Sequence, residues 1–329
     1  MPSSRILSTG YHVPERVVTN KDLEGMMDTS DDWIQERSGI VERRWVNGEA
    51  GSDLALEASR MALERAGMAP EDVDCIVLAT LSPDHFFPGT GVFLQRKLGI
   101  AGIPCLDVRN QCSGFLYGLS VADAWVRAGT YAHVLLVGTE VHSTGLQKST
   151  EGRDTAVLFG DGAGAVVVGP ADDGRGVLSI RLHADGRHAE KLWLEAPASA
   201  YDPLITHDYI DRGITFPRME GREVFKHATT RMPEAVEEVL VDAGLGIDDV
   251  ALLIPHQANL RISQAVQKRL GLPDERVFNN IQRYGNTTAA SIPIALHEAV
   301  EEGRIEDGDV VCMAAFGSGF TWGAALVRW

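Results

Sequence analysis

The chain has 329 residues, 44% hydrophobic and 23% charged, and its 30 Lys and Arg against 46 Asp and Glu leave a net charge of −16. Such a length and balance fit a globular protein of one large or two medium domains, and the acidity excludes a general nucleic-acid binder. No apolar run approaches the roughly 20 residues that span a bilayer, and Met1-Pro-Ser-Ser-Arg-Ile6 lacks the apolar centre of a secretion signal.

Residues 5–10 and 40–46 read as short strands, with 31–39 between them as a helix stopped by Gly39. Residues 52–67 form an amphipathic helix with Ser52 as its N-cap and Gly67 at its end. The continuous apolar run Asp74–Thr80 suits a strand covered on both faces of a parallel sheet. A helix from Gly91 to Leu98 and a strand from Ile103 to Val108 follow. Cys112 then opens a long apolar helix that runs to Gly129. Strands at 133–138, 156–159 and 165–168 close the first half. Alternating strands and helices predict an α/β fold with a largely parallel sheet.

The second half repeats the first. Ala66–Val77 matches Ala243–Ile254, Leu94–Ile100 matches Val266–Leu272, and the helix ending at Gly129 matches the one ending at Gly303. Tyr131–Val137 matches Gly308–Met313, and Gly164–Val168 matches Gly323–Val327. Five matches in one order indicate an internal duplication. The Gly129–Gly303 shift of 174 residues sets Cys112 opposite Asn286, at the starts of two related helices. His256 follows the strand that ends at Ile254, where a parallel sheet presents its ligand-binding ends.

A cysteine at a helix mouth sits in the positive field of the helix dipole, which favours thiolate, so Cys112 is either a nucleophile or a space-filling core thiol. Cys75, Cys105 and Cys312 lie in apolar runs without a CxxC pair, which fits reduced thiols in a cytosolic chain. No histidine–carboxylate cluster points to a metal. The helix 260–270 gathers Arg261, Lys268 and Arg269 on one face, either a docking face or a solvated one. Gly160–Gly164 is glycine-rich, but a strand rather than a helix follows it, against dinucleotide binding. His85, His142, His183, His207, His227 and His297 read as structural or exposed, with His85 a weak pocket candidate beside Phe87.

Six motifs together carry a family resemblance: Trp33–Arg44, Cys112-Ser-Gly-Phe115, Leu158-Phe-Gly-Asp-Gly-Ala-Gly-Ala165, Pro255-His-Gln-Ala-Asn-Leu-Arg261, Tyr284-Gly-Asn-Thr-Thr-Ala-Ala-Ser291 and Phe316-Gly-Ser-Gly-Phe-Thr-Trp-Gly323. Over nearly its whole length the chain resembles a β-ketoacyl-acyl-carrier-protein synthase III of the thiolase superfamily. The resemblance implies an internally duplicated, five-layer α-β-α-β-α thiolase-like fold, with residues 1–170 bearing the cysteine and 171–329 the histidine and asparagine. It implies a cytoplasmic homodimer that needs no cofactor beyond its substrates, acyl-CoA and malonyl-acyl-carrier protein. Cys112 would take the acyl group as a thioester, and His256 and Asn286 would hold the malonyl thioester oxygen as CO2 leaves. The backbone N–H groups of Cys112 and Ser318 would form the oxyanion hole. Trp33, Arg37 and Arg153 would hold the nucleotide end of CoA, and Phe225 and Asn259 would line the pantetheine tunnel. Lys226, Arg261, Lys268 and Arg269 would receive the acidic carrier protein, and Phe87 would close the acyl pocket of a partner subunit.

Three departures stand out. Arg109-Asn110-Gln111 replaces an alanine-rich approach to the cysteine, Gly317-Ser318-Gly319 replaces three glycines, and the segment 195–219 is longer and precedes Phe225. They bear on primer choice. A pathway-specific relative with another donor or acceptor is the alternative enzyme, a thiolase would want a second cysteine near Ser318, and a carrier-binding scaffold is the non-enzymatic reading.

Overall fold

The computed structural model describes residues 3–171 and 174–329. Met1 and Pro2, part of the N-terminal reading above, lie outside the described residues. The first sheet contains β1 (Ser3–His12), β2 (Cys75–Ala79), β3 (Cys105–Val108), β4 (Val134–Glu140) and β5 (Gly162–Ala171) in the order β1-β5-β4-β2-β3. β2 runs parallel to β3 and β4, and β5 is antiparallel to both of its neighbours. Every residue of β2 and β4 is buried, as expected for strands covered on both faces.

The second sheet repeats this pattern with β6 (Gly176–Ala184), β7 (Val250–Pro255), β8 (Val310–Gly317) and β9 (Thr321–Arg328) in the order β7-β8-β9-β6. A parallel bridge from Leu253 to Val277 stands where β3 pairs with β2 in the first sheet. Each of the five sequence matches falls on a pair of equivalent elements, so the repeat read from the sequence is a repeat of topology.

Seven longer helices complete the layers: α1 (Asp31–Ser38), α2 (Gly51–Ala66), α3 (Thr90–Leu98), α4 (Gly114–Arg127), α5 (Gly221–Ala243), α6 (Leu260–Leu270) and α7 (Ser291–Glu301). α2 and α3 cover the outer side of the first sheet, and α5 and α6 that of the second. α4 and α7 lie between the sheets, where Phe115, Leu116, Ile292 and Leu296 pack against Val77, Leu136, Ile254 and Met313. This is the five-layer thiolase-like arrangement. The central layer is tight: a Cβ on Gly138 of β4 would lie 2.3 Å from the carbonyl oxygen of Ala289, so only glycine fits there. No helix among the described residues is long and apolar enough to cross a membrane.

Local expectations needed three corrections. Residues 156–159 are not a strand; they follow the short helix Arg153–Ala156 and contribute one bridge, from Phe159 to Asn286. The strand expected at 40–46 shrinks to Glu42–Arg44, paired with Val17–Thr19. Ser52 does not cap α2, because Ala50 takes the extended cap position and the Asp53 carboxylate accepts its N–H at 3.0 Å. Ser52 is buried inside the first turn, its N–H and hydroxyl donating to Asp84.

Candidate active site

The chain leaves β3 through Arg109-Asn110-Gln111 and turns sharply. Gln111 has φ of +45°, a left-handed conformation that costs a side-chain-bearing residue about 1–3 kcal/mol and is found mostly where a site needs it. Cys112 follows in a short 3-10 turn, Gln111–Ser113, that leads into α4. Its side chain is nearly covered, with 7% exposure. The end of β8 lies directly against it: a Cβ on Gly317 would sit 2.9 Å from the Cys112 Cβ and 3.0 Å from its backbone nitrogen.

Burial pushes the Cys112 thiol up to about 12, and the charge of Glu140 pushes the same way. The N–H groups of Cys112 and Ser318 act in the opposite direction and do not prevail. The expectation that the helix mouth favours thiolate is therefore corrected. Desolvation outweighs the dipole, and the resting group is a thiol at neutral pH. The same two N–H groups reach the sulfur, at the place where a thioester carbonyl carbon would be attacked.

His256 lies just beyond β7, fixed by its N–H to the Ala314 carbonyl of β8 at 2.8 Å. Its Nδ1 is 2.5 Å from Ser291 Oγ at the start of α7. Ser291 Oγ also accepts the Gln257 N–H at 3.3 Å; with the Ser291 hydrogen on Nδ1, the ring proton would sit on Nε2. That Nε2 is buried and has no protein partner. Burial lowers the pKa of His256 to about 3, so the ring is neutral under ordinary conditions.

Asn286 is held by its backbone from the other half of the chain: it donates its N–H to Leu158 O at 2.8 Å and accepts the Gly160 N–H at 3.1 Å. Its Oδ1 accepts the Thr288 N–H at 2.9 Å, which leaves the amide NH2 as the end available to a ligand. The Cys112 turn packs on the Thr288–Ala290 turn and on β8. Three residues far apart in sequence thus converge through α4, α7 and β8.

A cavity of about 670 Å³ lies beside them, lined by Trp33, Arg37, Leu158, Phe225, Asn259 and Arg261 among others. Leu158, in its wall, accepts the Asn286 N–H, while Cys112, His256 and Asn286 themselves are not among its lining residues. Arg37 and Arg153 stack on the Trp33 ring, 4.6 and 4.7 Å from its centre, and gather two cations around one aromatic face-pair. Asn259 caps α6 by accepting the Arg261 N–H at 2.9 Å, and its amide donates to Arg37 O at 2.8 Å. Lys226, Lys268 and Arg269 are exposed on α5 and α6, with Arg269 4.0 Å from Glu234. Phe87 is 81% exposed beside exposed Phe86 and lines none of this cavity.

Several lining residues escaped the sequence reading: Met219 from the end of the longer segment, Arg222 from the first turn of α5, and Asp154 and Val157 after Arg153. The segment 195–219 pairs Leu192–Trp193 with Arg218–Met219, which delivers Met219 to the cavity wall. His142, expected to be structural or exposed, is structural: its side chain is 10% exposed and its Nε2 lies 2.5 Å from Thr288 Oγ1.

Residues 106–186 match the family described as 3-oxoacyl-[acyl-carrier-protein (ACP)] synthase III, and residues 240–329 match its C-terminal region. The chain is 47% identical over 326 residues to the beta-ketoacyl-[acyl-carrier-protein] synthase III of Rhizorhabdus wittichii, covering 98% of each protein. The crystal structure of 3-oxoacyl-[acyl-carrier-protein] synthase III from Aquifex aeolicus superposes with a TM-score of 0.92 at 44% identity, over 99% of this chain and 100% of that one. The synthase III structure from Thermus thermophilus gives 0.91 at 45% identity, over 99% of both chains.

Proposed function

The chain belongs to the β-ketoacyl-[acyl-carrier-protein] synthase III family, and we propose that Cys112, His256 and Asn286 carry that family's condensation in it. The enzyme is an acyltransferase that joins an acyl-CoA primer to malonyl-acyl-carrier protein and so initiates fatty-acid synthesis. In the first half-reaction Cys112 Sγ attacks the acyl-CoA carbonyl carbon. The carbonyl oxygen takes the negative charge between the N–H groups of Cys112 and Ser318. The tetrahedral intermediate collapses with loss of the CoA sulfur, which leaves carrying the proton that began on Cys112.

In the second half-reaction the malonyl thioester oxygen lies against His256 Nε2–H and the Asn286 amide. The C–C bond to the carboxylate breaks, CO2 leaves, and the electron pair moves into an enolate whose oxygen these two donors stabilise. The enolate carbon attacks the acyl-Cys112 carbonyl, and the thiolate departs and regains a proton. The balance is acyl-CoA, malonyl-carrier and one proton to β-ketoacyl-carrier, CoA and CO2. The observation that carries this assignment is the buried, partnerless Nε2 of a neutral histidine. A donor is not left orphaned in a desolvated site without cost, and a substrate oxygen would satisfy it.

The Trp33, Arg37 and Arg153 cluster offers an aromatic surface and two cations to the adenine and phosphates of CoA. Phe225 and Asn259 lie along the cavity that would take the pantetheine. Lys226, Arg261, Lys268 and Arg269 form the surface for acyl carrier protein. We further read residues 1–170 and 171–329 as the two duplicated halves of each subunit in a cytoplasmic homodimer. Support for the dimer comes from β3, which borders its sheet with exposed Leu106, and from the exposed Phe86, Phe87 and Val92 nearby. Intact mass after exposure to acetyl, branched and medium-chain acyl-CoAs tests the reading. A single adduct is expected on wild type and none on Cys112→Ala; no adduct from any acyl-CoA would overturn the assignment of the nucleophile.

A further inference from the structure

Glu140, the last residue of β4, has a side chain with 0% exposure and no role in the steps above. Its Oε1 accepts the Leu81 N–H at 3.0 Å and its Oε2 accepts the Ser82 hydroxyl at 2.7 Å. The N–H groups of Ser82 and Ala289 also donate to it. Ala289 belongs to the turn whose preceding residue, Thr288, donates its N–H to Asn286 Oδ1. Thr288 sits at a φ of +49°, a conformation it would not hold unaided. Two groups from the end of β4 therefore fasten this turn, Glu140 at Ala289 and His142 at the Thr288 hydroxyl.

The charge of the carboxyl group is also one of the two causes that raise Cys112. Resting on the assignment of Cys112 and Asn286 made above, we propose that Glu140 is a positioning residue for the condensation. Its carboxyl group fixes the Thr288–Ala289 turn that aims the Asn286 amide and packs against the Cys112 turn.

The surroundings support a group that changes charge within the working range. Among the described residues, no lysine or arginine is among the groups that shift Glu140. From the chain just past β4 comes His142, 3.8 Å away and held neutral by burial, with a pKa of about 4. From the Cys112 turn comes Cys112 itself. Asp84, on the loop that carries Ser82, is committed to Ser52, and Asp161 is committed to the N–H groups of Val46, His142 and Ser143. The Thr288–Ala290 turn carries no titratable group. Burial without a countercharge pushes Glu140 up to about 8, against the pull of its four donors.

The test compares wild type with Glu140→Gln in three measurements: Cys112 alkylation by iodoacetamide from pH 6 to 10, acyl loading from acyl-CoA, and malonyl-carrier decarboxylation. In wild type the logarithm of the alkylation rate should rise with unit slope to pH about 8 and then flatten as Glu140 ionises. In the variant the slope should stay at one, so that the two agree at pH 6 and the variant is about tenfold faster at pH 9 to 10. Decarboxylation should fall at least about tenfold while loading stays within about threefold. Parallel alkylation profiles, or both half-reactions falling in proportion, would overturn the proposal and leave Glu140 a structural residue. If Glu140→Gln does not fold, Glu140→Asp keeps the charge and withdraws the carboxyl group. It should retain the break in the alkylation profile and lose decarboxylation, and wild-type decarboxylation in it would equally overturn the proposal. A wild type that no acyl-CoA loads would instead remove the functional reading beneath this one.

Discussion

Gly317→Ala probes how closely the two halves of the site are fitted. The new Cβ would stand 2.9 Å from Cys112 Cβ, 3.0 Å from its nitrogen and 3.3 Å from its sulfur, where ordinary contact begins at 3.4 Å. About 0.5 Å must be made up, and two of the three opposing atoms are fixed by the backbone of the Gln111–Ser113 turn. Either that turn or the Gly317–Ser318 strand end must move, and each carries one of the two N–H groups proposed as oxyanion donors. Overpacking of this kind costs about 1–3 kcal/mol of stability. A misplacement of 1 Å at a reacting centre costs about a hundredfold in rate, so half of that distance is expected to slow loading by about tenfold. The assay is single-turnover formation of the Cys112 thioester followed by intact mass, alongside a thermal melt. Gly145→Ala is the control, because nothing lies within 4 Å of a Cβ there. Loading at the wild-type rate with an unchanged melt would refute the close fit of β8 on the nucleophile.

Two other outcomes are expected. Reversing charge at Lys268 and Arg269 should raise the KM for malonyl-carrier and steepen no salt dependence of acyl-CoA loading; steady-state kinetics at two ionic strengths would show it, and equal damage to both substrates would refute carrier docking on α6. His256 bears on acid stability. Its pKa is depressed in the folded state, to about 3 from 6.5, so its contribution is present above 6.5 and is lost as pH falls toward 3. The stability difference between wild type and His256→Gln, from urea unfolding, should therefore shift against wild type by about 2 kcal/mol between pH 7 and pH 5. An unchanged difference would mean that the ring is not held neutral.

The duplication was legible because it repeats both hydrophobic runs and glycine stops, and because the helices ending at Gly129 and Gly303 keep the same register. That register alone paired Cys112 with Asn286. His256 was legible from its place just past an apolar strand. What failed was local. The run 156–159 looks like a strand by composition, yet the chain is still leaving a helix there. The ionisation of Cys112 was misjudged because a sequence shows the helix behind a thiol but not how much water has been removed from it. Glu140 reads as an ordinary polar residue closing an apolar strand, since the groups that surround it come from residues 81, 82 and 289. Arg222 and Met219 carry no periodic signal at all, and the cavity they line is formed only when α1 and α5 come together.

The backbone ties of Asn286 to Leu158 and Gly160 have a consequence for how such a protein comes into being. A ribosome delivers the thiol-bearing half first. Until β8 and the Asn286 turn emerge and dock, that half lacks the Ser318 donor, the histidine and the amide together. The nascent chain therefore carries its cysteine without the groups proposed to turn it to condensation, and these arrive only when the second half closes on the first. The same ties couple the two halves: a change that loosens residues 158–160 is felt by an asparagine more than a hundred positions away.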